Sequence, residues 1–555
     1  MAELVTHEVL NQPAPLEGAN LFSGNQALQD ALRFNRPGFD ADRFARLGEL
    51  AGSAQMQRHA RLANSFSPVL RTHDRQGSRI DEVEFHPSYH ALMAEAMAQG
   101  LHGTPWTAGP GAHVDRAAAF MLFTEAEPSV LCPISMTYAV TPALRDNAPI
   151  FQAWGPGLSS TQYDERFVPF DRKHGLTMGM GMTEKQGGSD VRANTTRAEP
   201  DGEDAWGARY RITGHKWFFS APMCDAHLVL AQTPQGLSCF FVPRWLPDGA
   251  GEGRLNAVRI QRLKHKLGNH ANASSEVEFH GATGWRVGEA GRGIPQILAM
   301  GAITRLDCAL GTAALMRQAL SLALHHCAQR QAFGRRLQDQ PMMANVLADL
   351  ALESEAATAL ALRLARAVDA SANGSDASGH EALIARVLTP IAKFWICKRG
   401  AAFGQEAMEC LGGNGYVEEQ GEGVMARIYR EMPLNSIWEG AGNIMALDLR
   451  RALRTGPVAD ALAHELAPAQ GSHPAFDRAV ARVLDGLDGA TDEAQARRLA
   501  RDTALVLQAA LLRQHAPADV ADAFCAGRLG EACDVFGALP AGLALDAIVA
   551  RARLH

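Results

Sequence analysis

The sequence lacks the patterns typical of membrane-spanning, secreted or zinc-binding proteins. No run of about 18 uncharged apolar residues offers a transmembrane helix, and the opening segment MAELVTHEVLNQPAPLEG has neither the basic stretch nor the apolar core of a signal peptide. Nine cysteines are scattered along the chain and never form a Cys-x-x-Cys pair, so they predict neither a disulfide framework nor a zinc site. We therefore expect a cytoplasmic protein with reduced cysteines and no membrane partner.

An excess of basic charge is also missing. The formal net charge is −7, whereas nucleic-acid-binding domains usually show a net basic balance or a basic face. Any function on nucleic acid must therefore depend on a local patch.

The chain divides into four segments by its apolar periodicity. Its 555 residues exceed what one ordinary core holds, and no repeat of about 20–50 residues indicates a solenoid. Residues 1–175 predict an all-helical domain, residues 176–287 alternate like a small β-barrel or sandwich, residues 288–451 predict long helices in a bundle, and residues 452–555 predict a further Ala- and Leu-rich helical domain.

Two motifs lie where the first helices give way to strands. Residues 182–190 read MTEKQGGSD; glycines let a backbone approach a ligand closely, and hydroxyls and N–H groups supply donors. Residues 216–220 read KWFFS, an aromatic cluster that ends in a hydroxyl. Taken alone, the first is equally well a plain strand connection, and the second is more often core packing.

Three further motifs follow in the helical segments. They are RQAFGR at residues 330–335, LGGNGY at 411–416 and IWEGAGN at 437–443. The order and spacing of all five motifs resemble the acyl-CoA dehydrogenase superfamily across about residues 180–450. The wording MTEKQGGSDV, KLGNHANASSEVEF and SIWEGAGNIM is most similar to the AidB branch, the alkylation-response flavoproteins, and NQPAPLEGANLF and FTEAEPSVLCPISMTYAV extend that resemblance to nearly the whole chain.

The resemblance implies an α+β, acyl-CoA dehydrogenase-like fold with an N-terminal helical domain, a central β-barrel, a helical bundle and an extra C-terminal helical domain. It also implies FAD as cofactor, a small acyl-CoA as substrate and a homotetramer in which the RQAFGR and GGNGY segments reach a neighbouring subunit's cofactor. In that comparison Phe218 lies behind the isoalloxazine and Ser220 near its N5. The implied cofactor-binding residues are Met182, Thr183, Gly188, Ser189, Phe218, Ser220, Arg330, Phe333, Gly412, Gly413, Trp438, Gly440, Gly442 and Asn443.

Glu439 matches the family's catalytic base, which takes the α-proton of an acyl-CoA while hydride leaves for the flavin. Such a base works best in a dry pocket that raises its proton affinity. Some members carry the base on the helix just before a conserved arginine, but that position here is Thr304. The bulky Trp438 beside the base departs from the common pattern and predicts weak or absent turnover. The alternative is a genuine dehydrogenase of a short or branched acyl-CoA with no role on DNA.

The AidB branch is associated with binding of double-stranded DNA through its C-terminal domain. Residues 451–555 hold 11 arginines, no lysine and 13 acidic residues, so the segment is slightly acidic as a whole and ordinary surface charge is the competing interpretation. Contacts with DNA would go to phosphates, because no helix-turn-helix or zinc-finger signature is present. The candidate DNA-binding residues are Arg450, Arg454, Arg497, Arg498 and Arg501, of which the last three lie close together on one predicted helix.

Arg451 is a separate candidate for the catalytic site. It follows Glu439 by twelve residues, and in the AidB branch an arginine at that spacing lies near the flavin cavity. It would either pair with Glu439 and keep it ionised, or meet an anionic substrate. An ordinary helix-surface arginine is the competing interpretation.

Overall fold

The structure is a computed structural model that describes residues 6–247, 253–454, 457–488, 492–530 and 535–554. Its first part is mainly helical. Three of its helices begin at side-chain caps, where Asn25, Asp40 and Ser53 accept backbone N–H groups of the first turn. The helices are α1 (Gln26–Asn35), α2 (Ala41–Gly52), α3 (Ala54–Ser65), and, after the hairpin described next, α4 (Pro87–Ala98), α5 (Ala112–Ala126), α6 (Leu131–Leu144) and α7 (Ala148–Ser159).

The prediction of an all-helical first segment is wrong at one place. A β-hairpin of β1 (Val69–His73) and β2 (Arg79–Glu84) interrupts the helices. Asp74 forms its turn by accepting the N–H groups of Gln76 and Ser78. The hairpin buries Val83 in the core of the β domain, so an element of the first segment supports the second.

The central domain is a closed β-barrel, which is one of the two architectures predicted for residues 176–287. Strands β11, β5, β4, β6 and β7 pair in that order, and β7 pairs back to β11 to close the ring, while β10 adds to β11 and β3 to β6. The strands are β3 (Met178–Gly181), β4 (Arg197–Asp204), β5 (Gly207–Ser220), β6 (Ala226–Thr233), β7 (Gly236–Pro243), β8 (Trp245–Leu246), β9 (Arg254–Leu255), β10 (Val258–Leu263) and β11 (Ser274–Val287).

Long helices follow the barrel and form the bundle. Helix α8 (Gly293–Gln329) is long and apolar enough by composition to cross a membrane, but 72% of its most apolar window is buried inside the protein, and a buried core helix passes the same test. The remaining elements are β12 (Gln331–Ala332), β13 (Arg335–Arg336), α9 (Pro341–Ala372), α10 (His380–Cys410), α11 (Gly413–Tyr416), α12 (Val424–Asn435) and α13 (Gly442–Leu453).

The C-terminal helices pack onto the bundle and are fixed there by ion pairs. Arg551 bridges Asp30 at 2.6 Å and Glu355 at 2.9 Å. The fully buried Arg363 of α9 bonds Glu465 at 2.6 Å. The elements are α14 (Val458–Leu466), α15 (Pro474–Asp488), α16 (Ala496–His515), α17 (Ala518–Phe524), a π-helical turn (Cys525–Gly530) and α18 (Leu545–Ala552).

Candidate flavin and substrate site

The MTEKQGGSD loop is anchored by an ion pair. Lys216 of β5 donates to Glu184 at 2.6 Å, and both side chains are fully buried. Thr195 adds its backbone N–H at 2.7 Å and its hydroxyl at 3.1 Å. Burial raises the pKa of Glu184, but the charge of Lys216 and the hydrogen bonds outweigh it and lower the pKa to about 2. Two of the sequence motifs are thus joined by their own charged residues.

The rest of the loop presents its predicted cofactor contacts outward. The backbone carbonyl of Thr183 accepts the N–H of Trp217 at 2.8 Å, and that of Met182 accepts Asn194 at 2.9 Å. A Cβ on Gly188 would lie 2.6 Å from the Thr183 hydroxyl, so only glycine fits there. Ser189 is exposed, which leaves its hydroxyl accessible to a ligand.

Alternation along the end of β5 separates packing residues from ligand-facing ones. Phe219 is buried and stacks on the ring of His227, with centroids 4.0 Å apart. Its neighbour Phe218 is 50% exposed, because successive side chains of a strand point to opposite faces. Phe218 therefore stands at the surface beside the loop, with the ammonium group of Lys264 4.8 Å from its ring centroid.

Glu439 sits in the turn before α13, in a left-handed conformation with φ of 58°. Thr304 of α8 donates its hydroxyl to the Glu439 carboxylate at 2.7 Å. Arg305 donates to the Glu439 carbonyl at 2.9 Å, and Lys393 to the next carbonyl, that of Gly440, at 2.6 Å. These bonds hold a backbone conformation that is costly for a residue with a side chain.

Burial raises the pKa of the Glu439 carboxyl, while the hydrogen bond from Thr304 and the charges of Arg305 and Lys393 oppose the rise. The side chain remains partly accessible. A carboxyl with a raised proton affinity beside a hydrogen-bond donor has the properties required of a general base.

Cys132 of α6 connects the two halves of the site. Its thiol lies close to the side chains of Asn272 and Ser220, and the charge of Glu439 acts on it. Burial, followed by that charge, raises the pKa of Cys132 to about 12, so the thiol stays protonated. The structure thereby brings the candidate base and the hydroxyl of Ser220 to one place.

Sequence reasoning did not single out Cys132, Asn272 or Lys393. The first two lie inside the segments FTEAEPSVLCPISMTYAV and KLGNHANASSEVEF, which carried the family resemblance. Their position in those segments was the available signal.

The structure does not pair Arg451 with Glu439, as one interpretation of the sequence predicted. Arg451 is exposed on α13, and the cations acting on Glu439 are Arg305 and Lys393. Helix α13 turns the Arg451 side chain to the surface because its opposite face, with Met445 and others, packs into the bundle. The interpretation as a surface arginine fits the described chain.

The glycines and Asn443 around the base shape the turn. A Cβ on Gly440 would lie 2.7 Å from Met445 Cε, and one on Gly442 would lie 3.0 Å from Lys398 Cε. Asn443 is exposed and accepts a hydrogen bond from Arg497 at 3.3 Å. Trp438 is half-buried, and its indole donates to Asn435 at 2.9 Å.

The predicted diphosphate and adenosine contacts lie elsewhere, at the far end of α8. Arg330 donates to the carbonyl of Asn11, and Phe333 at the tip of the β12–β13 hairpin is 99% exposed. Gly412 and Gly413 follow α10 at the same end, where a Cβ on either would meet nothing within 4 Å. Arg330 lies 26 positions beyond Thr304 on α8, roughly 39 Å at the helical rise of 1.5 Å per residue.

The candidate DNA-binding arginines lie in different environments. Arg450 pairs with Glu493 at 3.1 Å, and Arg454 is exposed. Arg497 contacts Asn443, whereas Arg498 and Arg501 both face Asp502. The three helical arginines thus differ in their surroundings, because Arg497 points to the bundle and its two neighbours do not.

The donor set near Glu439 fits the flavin of FAD. The half-exposed ring of Phe218, the hydroxyls of Thr183, Ser189 and Ser220, and the tight approach of Gly188 to Thr183 supply an aromatic surface and hydrogen-bond donors of the kind that a flavin needs. The other predicted cofactor residues stand at the far end of α8, away from Thr304.

Comparisons with known proteins agree with this geometry. Residues 11–165 match the family "Adaptive response protein AidB N-terminal domain", and residues 179–282 and 291–454 match the middle and C-terminal domains of acyl-CoA dehydrogenase. The chain is 49% identical over 526 residues to the "Putative acyl-CoA dehydrogenase AidB" of Escherichia coli (strain K12), with 94% of each chain covered.

Solved structures give the same result. The structure named "Bd2924 apo-form" has a TM-score of 0.82 and 30% identity, covering 91% of this chain and 99% of that one. Caenorhabditis elegans ACDH-11 in complex with C11-CoA has a TM-score of 0.81 at 24% identity, covering 99% of this chain and 93% of that one, which supports the fold. The chain therefore belongs to the FAD-dependent acyl-CoA dehydrogenase family, in its AidB branch.

Proposed function

We propose that the protein is a cytoplasmic, homotetrameric AidB-type flavoprotein that turns over acyl-CoA weakly and protects double-stranded DNA from alkylation by binding it. The observation that carries the enzymatic part is the Glu439 carboxylate, which accepts the Thr304 hydroxyl at 2.7 Å in the turn before α13. Bound FAD supplies the hydride acceptor.

The chain's own residues supply the proton chemistry. Glu439 accepts the α-proton of an acyl thioester, and its raised pKa strengthens it as a base. Thr304 donates to the carboxylate at 2.7 Å and thereby opposes the rise in its pKa. That ACDH-11 is solved with an acyl-CoA of eleven carbons supports acyl-CoA as the substrate class here.

Weak turnover is proposed from Trp438. Its half-buried indole is fixed by Asn435, next to the base. A fixed indole at this point narrows the room for an acyl chain, since protein interiors tolerate little overlap.

The tetramer is proposed from the position of the second half of the cofactor site. Arg330 and Phe333 lie roughly 39 Å along α8 from Thr304. The exposed ring of Phe333 is joined at this end by Tyr416, which is 79% exposed. Exposed aromatic side chains of this kind mark interaction surfaces, and a neighbouring subunit's cofactor would cover them.

DNA binding is proposed from arginines that remain available on the C-terminal surface. Arg498 is 71% exposed and Arg501 is 49% exposed, and they share the single carboxylate of Asp502. Arg454 caps the C-terminal end of α13 and is exposed. Arginine forks suit phosphate oxygens.

The enzymatic proposal is tested by anaerobic titration of the FAD-loaded protein with a panel of acyl-CoA thioesters while the flavin absorbance is followed. Slow bleaching by one thioester, lost in Glu439→Gln and kept in the exposed control Glu419→Gln, is expected. Equal bleaching in Glu439→Gln removes Glu439 from the role. No bleaching by any thioester, with dithionite still reducing the flavin, rejects the dehydrogenase activity altogether, and rapid bleaching favours a genuine dehydrogenase.

The DNA proposal is tested by fluorescence anisotropy with a labelled duplex at several salt concentrations. Replacing Arg498 and Arg501 together by Gln should weaken binding and reduce the slope of log K against log salt by about 1.8, at about 0.9 for each lost phosphate contact. The control is the exposed Arg478→Gln on α15. An unchanged slope contradicts the proposed contacts. Protection is measured as methylation of the duplex with and without the protein.

A further inference from the structure

A cavity of about 220 Å³ lies between helix α10 of the bundle and the C-terminal helices. It is enclosed by α10, α15, α16 and the π-helical turn. Five guanidinium groups line it, and the first and last of them, Arg399 and Arg528, are 129 positions apart in the sequence. These arginines are Arg399, Arg482, Arg498, Arg501 and Arg528.

Two of the five arginines are neutralised from behind. Arg528 bonds Asp349 at 2.5 Å and Glu353 at 3.0 Å, and Arg399 bonds Glu353 at 3.2 Å. All four groups are largely buried. Together these two arginines and two carboxylates form one wall of the cavity, and their charges cancel.

The other three arginines are under-neutralised. Arg498 and Arg501 share Asp502, at 3.7 and 2.7 Å. Arg482 has neither an ion pair nor a side-chain hydrogen bond to any residue that the structure describes. Within the described chain the cavity thus carries an excess of about two positive charges over its carboxylates.

The cavity also has an apolar side. Trp395, Leu505 and Leu529 contribute to the lining, and Trp395 is fixed because its indole donates to Gln508 at 3.1 Å. A ligand that fills this space can therefore be anionic at one end and apolar or aromatic at the other.

We propose that this cavity binds a small phosphate monoester with an apolar or aromatic organic part. A phosphate monoester carries about −1.5 to −2 charges at pH 7 and three terminal oxygens, which matches the excess charge and allows several guanidinium forks to bind at once. A carboxylate, with one charge and two oxygens, would leave arginines unmatched. The volume is below the usual 300–1,000 Å³ of ligand pockets, so the organic part is small.

This site overlaps the proposed DNA contacts at Arg498 and Arg501 but includes other residues as well. Arg482 and Trp395 belong to the cavity alone, whereas Arg497 is turned to Asn443. A concave wall suits a compact ligand better than the side of a duplex. Arg482 therefore separates the two proposals.

The test is isothermal titration of the full-length, FAD-loaded protein with phenyl phosphate, with inorganic phosphate, benzoate and a DNA duplex as comparisons. Phenyl phosphate should bind once per chain and about tenfold or more tightly than inorganic phosphate or benzoate. Arg482→Gln and Arg501→Gln should each weaken it about tenfold, the scale of a charge-assisted contact, and Arg482→Lys should recover part of the loss. The exposed Arg478→Gln, one turn earlier on α15, should change it less than about twofold.

Four results would overturn the proposal. Absence of phenyl phosphate binding at millimolar concentration means that the cavity is not such a site. Binding that Arg482→Gln leaves within twofold lies elsewhere on the protein. Inorganic phosphate that binds as tightly as phenyl phosphate shows that the apolar wall takes no part. If a DNA duplex displaces phenyl phosphate, and Arg482→Gln weakens the binding of duplex and of phenyl phosphate equally, the cavity is a DNA contact instead.

Discussion

Replacing Lys216 by Met should loosen the loop that holds the flavin. The substitution keeps most of the side-chain volume but leaves Glu184 as a fully buried carboxylate without its cation. Removing one partner of a buried ion pair costs about 3–5 kcal/mol. Because Thr195 still donates to Glu184 twice, we expect the lower end, about 3 kcal/mol.

That loss corresponds to a fall of about 12–24 °C in the melting temperature of the barrel, at about 4–8 °C per kcal/mol for a domain of roughly a hundred residues. FAD should leave at a correspondingly lower temperature, which the rise in free flavin fluorescence measures during heating. The double variant Glu184→Gln with Lys216→Met should lose less than the single one, because no buried charge is left unpaired.

The neighbouring Lys185→Met is the matched control, since Lys185 is exposed and one residue from Glu184. It should melt and release FAD like the unmodified protein. If Lys216→Met melts within about 2 °C of the unmodified protein and holds FAD equally well, the ion pair does not anchor the loop and the reasoning fails.

Three further predictions follow from charged contacts. The fold lowers the pKa of Glu184 to about 2, so its contribution to stability is full above about pH 4.5 and is lost as pH falls toward 2; flavin fluorescence should report acid release of FAD in that window, and release near pH 6 would contradict it. Thr304→Val removes a donor to Glu439, so the pH above which any flavin bleaching sets in should rise by about one unit or more; an unmoved profile excludes Thr304 from tuning the base. Arg551→Met leaves the Glu355 carboxylate without its cation and should lower the free energy of unfolding by about 3 kcal/mol. Limited proteolysis should then cleave the C-terminal helices faster than in the unmodified protein, and equal cleavage rates would refute this.

The motifs predicted the cofactor and the family because each reflects a local chemical requirement. Glycine at 188 is needed where Thr183 approaches, and the phenyl ring of Phe218 faces out because its strand alternates. The family's alternative position for the base, occupied here by Thr304, proved to be the residue that bonds Glu439. Position in the sequence identified both residues, but their contact depends on how α8 packs against the turn before α13.

Other features could not be read from the sequence, and one was overlooked. The hairpin around Asp74 carried a local signal, two short alternating runs either side of a turn. The arginine cavity carried none, since Arg399, Arg482 and Arg528 meet only after three separate elements fold together. Composition likewise could not show that Arg497 turns toward the bundle, because the neighbours of a helix decide which of its faces is free.

The short N-terminal segment has a consequence for biosynthesis. Asn11 exchanges two hydrogen bonds with Gln331, and Gln12 accepts one from Asn414. At about 5–20 residues per second, roughly 15–65 s pass between the appearance of Asn11 and that of Gln331. During translation the leading segment must therefore wait, unpaired, until the far ends of the bundle helices emerge, so its contacts are completed late, when about three quarters of the chain has been made.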